Sequence, residues 1–313
     1  MPRHTGLVIA VLGGLGAAVL WATATLCSSR SSRMLGSRVV LGWIMIVGVV
    51  VGLPVAIASP PPATIEVSTY GLLLFGGCCY VIGLQLTYAA LRIGKVSIVA
   101  PIVSTEGAVA ALISIALGDP IGVVAGLMLV LIAAGVVLSS LERGRRAVPA
   151  GDFGVTADAL EDSAADQAVH EQARLDTRRA AILSIIGAVV FGVGLVAAGR
   201  AAVLVPIAWV AIAARLVGLV GVVLPLLLQR RLRLTRAALP LVVIAGIAEV
   251  AGSMLSAWGS RESIAVTAVM GSQFAALAAV TAFVLFGERL GRTQIAGVVL
   301  IVIGVTVLAG VSA

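Results

Sequence analysis

The chain has 313 residues, 60% hydrophobic and only 11% charged, with a mean hydropathy of +1.17 and a net charge of +7. Soluble domains are about 45–50% apolar and about 25% charged, so too few charges are present to cover a 31.5 kDa globule in water, and hydrophobicity this high also excludes disorder. The 36 glycines follow no Gly-X-Y period and no ten-residue alternating strands recur, which excludes a fibrous chain and an outer-membrane barrel and leaves an all-α integral membrane protein.

About 20 apolar residues cross about 30 Å of hydrocarbon. On that basis the sequence predicts ten transmembrane helices, at 6–26, 37–58, 70–91, 96–117, 120–139, 180–199, 206–228, 238–258, 264–286 and 291–311. Ala22-Thr23-Ala24 in the first resembles a signal-peptide cleavage site. The apolar stretch is longer than that of a secretory signal, however, and nine spans follow, so the first helix is expected to be retained. In span four, Pro101 removes one backbone hydrogen bond and crowds another, which predicts a kink with exposed carbonyls. Short junctions make spans four and five, and spans nine and ten, tight hairpins.

Residues 141–179 interrupt the pattern. They carry eight acids, from Glu142 to Asp176, and six arginines clustered at the two ends. This composition predicts a solvated linker with a weak helix across 156–175, acting as a tether or as a recruiting surface for a partner. The chain is thereby divided into a five-span half at 1–140, the linker, and a second five-span half at 180–313.

The basic residues lie in short clusters between apolar runs, as in loops facing anionic lipid, so no nucleic-acid partner is expected. With alternate loops on the same side, the side of the termini holds Arg3, Arg200 and Arg261. The opposite side holds 17 of the 21 basic residues, and Arg215 lies inside a span. The positive-inside rule puts the linker in the cytoplasm and both termini outside a cell (inner) membrane. Cys27, Cys78 and Cys79 have no metal-ligand spacing and read as small packing residues, and no metal or cofactor is expected.

Shifting the chain by 169 residues overlays 84–140 on 253–309. Arg92 then meets Arg261, Gly118-Asp119 meets Gly287-Glu288, and Gly135-Val136 meets Gly304-Val305. Because five is odd, two such halves must insert with opposite orientation, the inverted repeat on which many secondary transporters are built. Gly287-Glu288-Arg289-Leu290, with Gln294, Gly297, Leu300-Ile301 and Gly304-Val305, resembles the end of a repeat of the EamA-like family of the drug/metabolite transporter superfamily. Trp21 late in the first span and Arg38 opening the second are similar to the same pattern. In the first half Asp119-Pro120 stands in place of the Glu-Arg pair, and the following glycine, Gly126, comes two residues early. The resemblance implies ten helices in two inverted five-helix repeats and transport of a small molecule, and leaves the substrate open.

A charge at the centre of a membrane helix costs about 2.5–3.5 kcal/mol on insertion scales, so each needs a reason. Glu106 and Glu249 lie near midplane in spans four and eight, and Arg215 lies about two turns inside span seven. Two midplane carboxylates suit a proton-coupled carrier or a cationic substrate. The alternative is a structural Arg215–Glu249 ion pair. Around Glu106 gather Pro101, Ser104, Thr105 and Gly107. The overlay sets Ser272-Gln273-Phe274 opposite Val103-Ser104-Thr105 and maps Glu249 onto Tyr80. The candidate substrate and proton site is therefore Glu106, Glu249, Arg215, Ser104, Thr105, Gln273, Tyr80 and Gln85. Tyr88, Trp21 and Trp258 are further lining candidates, with interfacial anchoring the alternative for the tryptophans. Asp119 and Glu288, each beside a glycine at a helix junction, are expected to cap the next helix. Gly118, Gly122 and Gly126 form a small-residue stripe on span five, with Gly297 and Gly304 a looser equivalent on span ten.

The expected function is a secondary carrier that exports a small organic metabolite or drug against proton entry by alternating access. No Gly-x-x-x-x-Gly-Lys-Ser/Thr loop is present to drive it with ATP. Two alternatives belong to other classes. An intramembrane lipid-modifying enzyme would need a surface constellation, yet the two histidines, His4 and His170, sit in a tail and the linker. A non-transporting scaffold has the acidic linker in its favour. The oligomeric state is left open. A reporter active only in the cytoplasm should be silent when fused to Ala313, and activity there would overturn the orientation.

Overall fold

In hydrocarbon a backbone must satisfy its N–H and C=O groups within its own segment, so helices are the form open to these apolar runs. The computed structural model describes residues 3–94, 96–118 and 157–274, with isolated positions between 126 and 135 and between 276 and 303. Among the described residues every regular element is helical. The first half contributes α1 (Arg3–Leu35), α2 (Ser37–Ala58), α3 (Val67–Ile93), α4 (Val96–Val103) and α5 (Glu106–Ala116). The second contributes α6 (Ala157–Ala202), α7 (Ile207–Gly218) continued by a π-helical turn over Leu219–Val223, α8 (Leu224–Leu228), α9 (Leu239–Ser260) and α10 (Ile264–Gly271).

Six described helical stretches are long and apolar enough to cross a membrane: Thr5–Leu35, Ser37–Ala58, Val67–Ile93, Leu175–Ala202, Ile207–Leu228 and Leu239–Ser260. They coincide with predicted spans one to three and six to eight. Predicted spans five and ten, with Asp119 and Glu288, lie almost wholly outside the described residues. The first helix, α1, packs along α9 and buries Ala10, Ala17, Ala18 and Ala24. The weak helix expected over 156–175 is part of one 46-residue helix, α6, continuous with span six. Large apolar side chains such as Leu12, Val50, Ile57, Leu74, Leu112 and Leu228 are left on the outside, where lipid would meet them.

Spans four and nine differ from the expectation of continuous helices. Span four breaks at Ser104-Thr105, three residues beyond Pro101, where the kink was expected. The Ser104 N–H still reaches Ala100 O at 2.9 Å, but the Thr105 N–H turns to Ile102 O at 3.2 Å. The Thr105 hydroxyl donates to the same carbonyl at 2.7 Å. A hydroxyl that competes for a helix carbonyl loosens the regular ladder. Span nine breaks at Ser272-Gln273 in the same way. Ser272 N–H bonds Ala268 O at 3.0 Å and Gln273 N–H bonds Met270 O at 3.2 Å. Here the Ser272 hydroxyl donates to Val269 O at 2.8 Å. The eight-residue helices before the breaks, α4 and α10, start at Val96 and Ile264, and Ser104 corresponds to Ser272. Both separations are 168 residues, one fewer than the register of the sequence overlay, so Ser272-Gln273-Phe274 stands opposite Ser104-Thr105-Glu106.

Packing exchanges the halves. α1 lies against α9 as α6 lies against α3, α2 against α9 as α7 against α3, and α5 meets α10 directly. Lipid tails are as apolar as leucine, so helices associate by close contact at small residues rather than by a hydrophobic drive. Gly36 (φ 88°) turns the chain between α1 and α2, and Gly118 (φ 93°) ends α5 in a left-handed conformation. At the far end of α6, Arg261 donates from Nε to the terminal carbonyl Ala202 O at 2.6 Å and from Nη2 to Val205 O, in the turn that follows, at 3.0 Å.

Gly107 sits at the α5–α10 crossing, where an added Cβ would stand 2.5 Å from Ala268 O and 2.7 Å from Ser272 Cβ. Gly107→Ala should therefore cost about 1–3 kcal/mol and lower the thermal midpoint in detergent. Gly71→Ala, with nothing within 4 Å of its Cβ, should leave it unchanged. Equal midpoints for the two variants would contradict this crossing.

Candidate functional site

A cavity of about 90 Å³ runs between α1, α3, α6, α7 and α9 and reaches the junction of α4 and α5. Its polar wall includes Tyr80, Tyr88, Glu106, Arg215, Glu249 and Ser253. Trp21, Phe191 and Phe274 supply aromatic surface. Glycines 76, 77, 194 and 199 bring backbone rather than side chain to the wall, which keeps the space open.

Arg215 is fully buried and Glu249 is 5% exposed. They are joined through Tyr80. Its hydroxyl donates to Glu249 Oε2 and accepts from Arg215 Nη2 at 3.0 Å. The Tyr88 hydroxyl donates to Glu249 Oε1 at 3.2 Å. Ser253, one helical turn after Glu249, accepts from Arg215 Nη2 at 3.0 Å and donates to Glu249 O at 2.8 Å. Arg215 Nη1 donates to Ala211 O at 3.3 Å, and the guanidinium carbon stands 4.6 Å from the Tyr80 ring centroid. Phe191 meets that ring edge-on at 5.9 Å. Room for the arginine stem comes from α2, because a Cβ at Gly48 would stand 2.8 Å from Arg215 Cγ. The expected Arg215–Glu249 pair is thus a bridged one. Burying two charges is tolerable only when their hydrogen-bonding capacity is largely satisfied; Tyr80, Tyr88, Ser253 and the Ala211 carbonyl supply those bonds, and Arg215 Nε alone of its nitrogens has no partner among the described residues.

Glu106 differs. It is the first residue of α5, 5% exposed, and lines the same cavity. Among the described residues none hydrogen-bonds to its carboxylate. The helix dipole at the start of α5 favours negative charge there. Its backbone is held on two sides by glycines: Gly107 against α10, and Gly192 of α6, whose added Cβ would stand 2.9 Å from Glu106 O.

Of the other expected site residues, Ser104, Thr105 and Gln273 lie in the two helix breaks and do not line the cavity. Gln273 Nε2 donates to Val269 O at 3.1 Å. Gln85 donates to Ser37 Oγ at 3.4 Å and faces a separate cleft beside Arg38 and the π-helical turn. Trp21 is in the cavity wall, whereas Trp258 is 36% exposed and outside it. Tyr88, a secondary candidate in the sequence, holds Glu249. Ser253 and Phe191 were not singled out. The signal for Ser253 is its position four residues after Glu249, on the same helix face.

Residues 8–141 match the model of the EamA-like transporter family. The match spans α1 to α5 and so takes in Trp21, Tyr80, Tyr88 and Glu106. The match agrees with the EamA-like resemblance, but through the first half and not through the motif at 287–305 that suggested it. No curated protein matches the chain. A solved crystal structure has the same fold, with a TM-score of 0.66 and 19% identity, covering 96% of this chain and 97% of that one. The chain is a multi-pass helical membrane protein whose first half is EamA-like, and that family is one of transporters.

The bridging hydroxyl can be removed without touching either charge. Tyr80→Phe deprives Arg215 and Glu249 of a shared partner and should cost about 1.5–3 kcal/mol, seen as a lower thermal midpoint. A midpoint equal to the parent's would mean that the bridge contributes nothing.

Proposed function

We propose that the chain is a secondary carrier that exports a small organic metabolite or drug across the cell membrane by alternating access, coupled to proton entry. The observation that carries this reading is the cavity, whose wall comes from both halves and holds a buried carboxylate with no bonded partner among the described residues. The architecture proposed with it is two inverted five-helix repeats, 1–140 and 180–313, with a cytoplasmic linker at 141–179 and both termini outside. Three observations support it: the exchange of helix packing between the halves, the matching breaks in spans four and nine, and the Tyr80–Glu249 contact. Tyr80 and Glu249 are matched by the 169-residue overlay, one residue from the 168-residue register of the helix breaks, and their contact lies close to the proposed two-fold axis between the halves.

Rocking of one half against the other around this axis would expose the cavity to each side in turn. Tyr80 belongs to the first half, and its partners Glu249, Arg215 and Ser253 to the second. This cluster is the pivot contact between the halves. Glu106 takes up and releases the coupling proton, while Glu249 is held by its two tyrosines.

In liposomes containing the purified chain, flux across a small-metabolite panel should increase with a proton gradient directed against it. Glu106→Gln should remove that dependence and slow flux by on the order of tenfold or more. Absence of flux for the whole panel would contradict the carrier. Transport surviving both Glu106→Gln and Glu249→Gln with unchanged pH dependence would contradict proton coupling.

A further inference from the structure

Among the described residues, the charged and titratable groups of the cavity wall are Glu106, Glu249, Arg215, Tyr80 and Tyr88. Arg215 and Glu249 cancel through Tyr80, and both oxygens of Glu249 are engaged by tyrosine hydroxyls. One negative charge, on Glu106, is left without a partner among the described residues. A carboxylate that is 5% exposed in apolar surroundings needs a counter-charge or a proton.

An anion finds no equivalent welcome. Arg215 commits Nη2 to Tyr80 and Ser253 and Nη1 to Ala211 O, and its Nε has no partner among the described residues. Its remaining Nε turns towards α2, 3.2 Å from where a Cβ at Gly48 would stand. The rest of the wall is rich in aromatic side chains, Trp21, Tyr80, Phe191 and Phe274, against which an apolar body can lie.

We infer that the cavity binds a small organic ammonium monocation, its N–H groups donating to Glu106 and its apolar body lying against Trp21, Phe191 and Phe274. This rests on the carrier reading and names the substrate class for the same site. Because a proton and a monocation satisfy the same single charge, they exclude one another at Glu106, and exchange is one for one.

Three compounds with a common isobutyl body separate the charges: isobutylammonium, isobutanol and isovalerate. Their binding to the full chain in lipid nanodiscs is read by calorimetry and by quenching of tryptophan fluorescence, since Trp21 is in the wall. Isobutylammonium should bind more tightly than the alcohol by roughly 30-fold, with isovalerate weakest. Glu106→Gln should bind the ammonium and the alcohol alike. Equal affinities in the parent chain, tighter isovalerate, no isobutylammonium binding at millimolar concentration, or a Glu106→Gln variant that keeps the preference would each overturn the assignment. The ranking in the parent chain decides the matter even if the variant fails to fold. Ammonium preference without flux of any panel compound would remove the carrier and leave the cation site. Flux of another solute without ammonium preference would do the reverse.

Discussion

A charge inside hydrocarbon must find its compensation within the protein, and the centre of this molecule is arranged around that constraint. Arg215 is fully buried, a large, permanently charged group with no water to solvate it. Its stem fits because α2 carries glycine at position 48, and its two terminal nitrogens are met by Tyr80, Ser253 and the Ala211 carbonyl. Glu249 is brought into the same set by Tyr80 and Tyr88. The three side chains that hold the two charges come from α3 and α9, and the carbonyl from α7, so neutralising the charges also ties the halves together. What the cluster leaves over is Glu106, and the chemistry proposed for the cavity follows from that remainder.

The placement of Glu106 depends on a second constraint, that a helix interior has no free backbone groups. Breaking span four at Ser104-Thr105 makes Glu106 the first residue of a new helix, where the dipole favours its charge. The hydroxyls of Thr105 and Ser272 satisfy carbonyls that the breaks would otherwise expose. Glycines then let the broken region be gripped closely. Gly107 meets α10 and Gly192 meets α5 at distances that no side chain would permit. Rigid support around a carboxylate with no partner among the described residues is what a binding group requires if it is to discriminate between ligands.

Much of this was legible in the sequence because membrane helices advertise themselves by length and apolarity. Six predicted spans coincide with described helices within a few residues at most ends, and rarity of charge picked out Glu106, Glu249 and Arg215 directly. The overlay even matched Tyr80 with Glu249, two residues that touch. The helix breaks were not read correctly. Pro101 is a conspicuous breaker, but a proline is tolerated within a helix when neighbouring groups re-satisfy the backbone, and the interruption falls where hydroxyls compete for carbonyls. Span nine has no proline at all, so nothing in its composition announced the break at Ser272-Gln273. Periodicity also gave no warning that Gln273 would bond back to its own helix, or that Gln85 would face a different cleft. Which side of a helix meets a cavity is decided by the rotation of its neighbours, and a single sequence does not carry that.

The central claim is that one cavity, walled by both halves, opens to each face of the membrane in turn. Thr87 tests it most directly: it lines the cavity, is buried, and its hydroxyl has no partner among the described residues. With Cys27, Cys78 and Cys79 replaced, a cysteine at position 87 would be exposed to an impermeant thiol reagent from one side at a time in oriented vesicles. The account expects labelling from either face, slowed from both when the pivot contact is held closed. Labelling from one face alone, whatever the proton gradient, would contradict it.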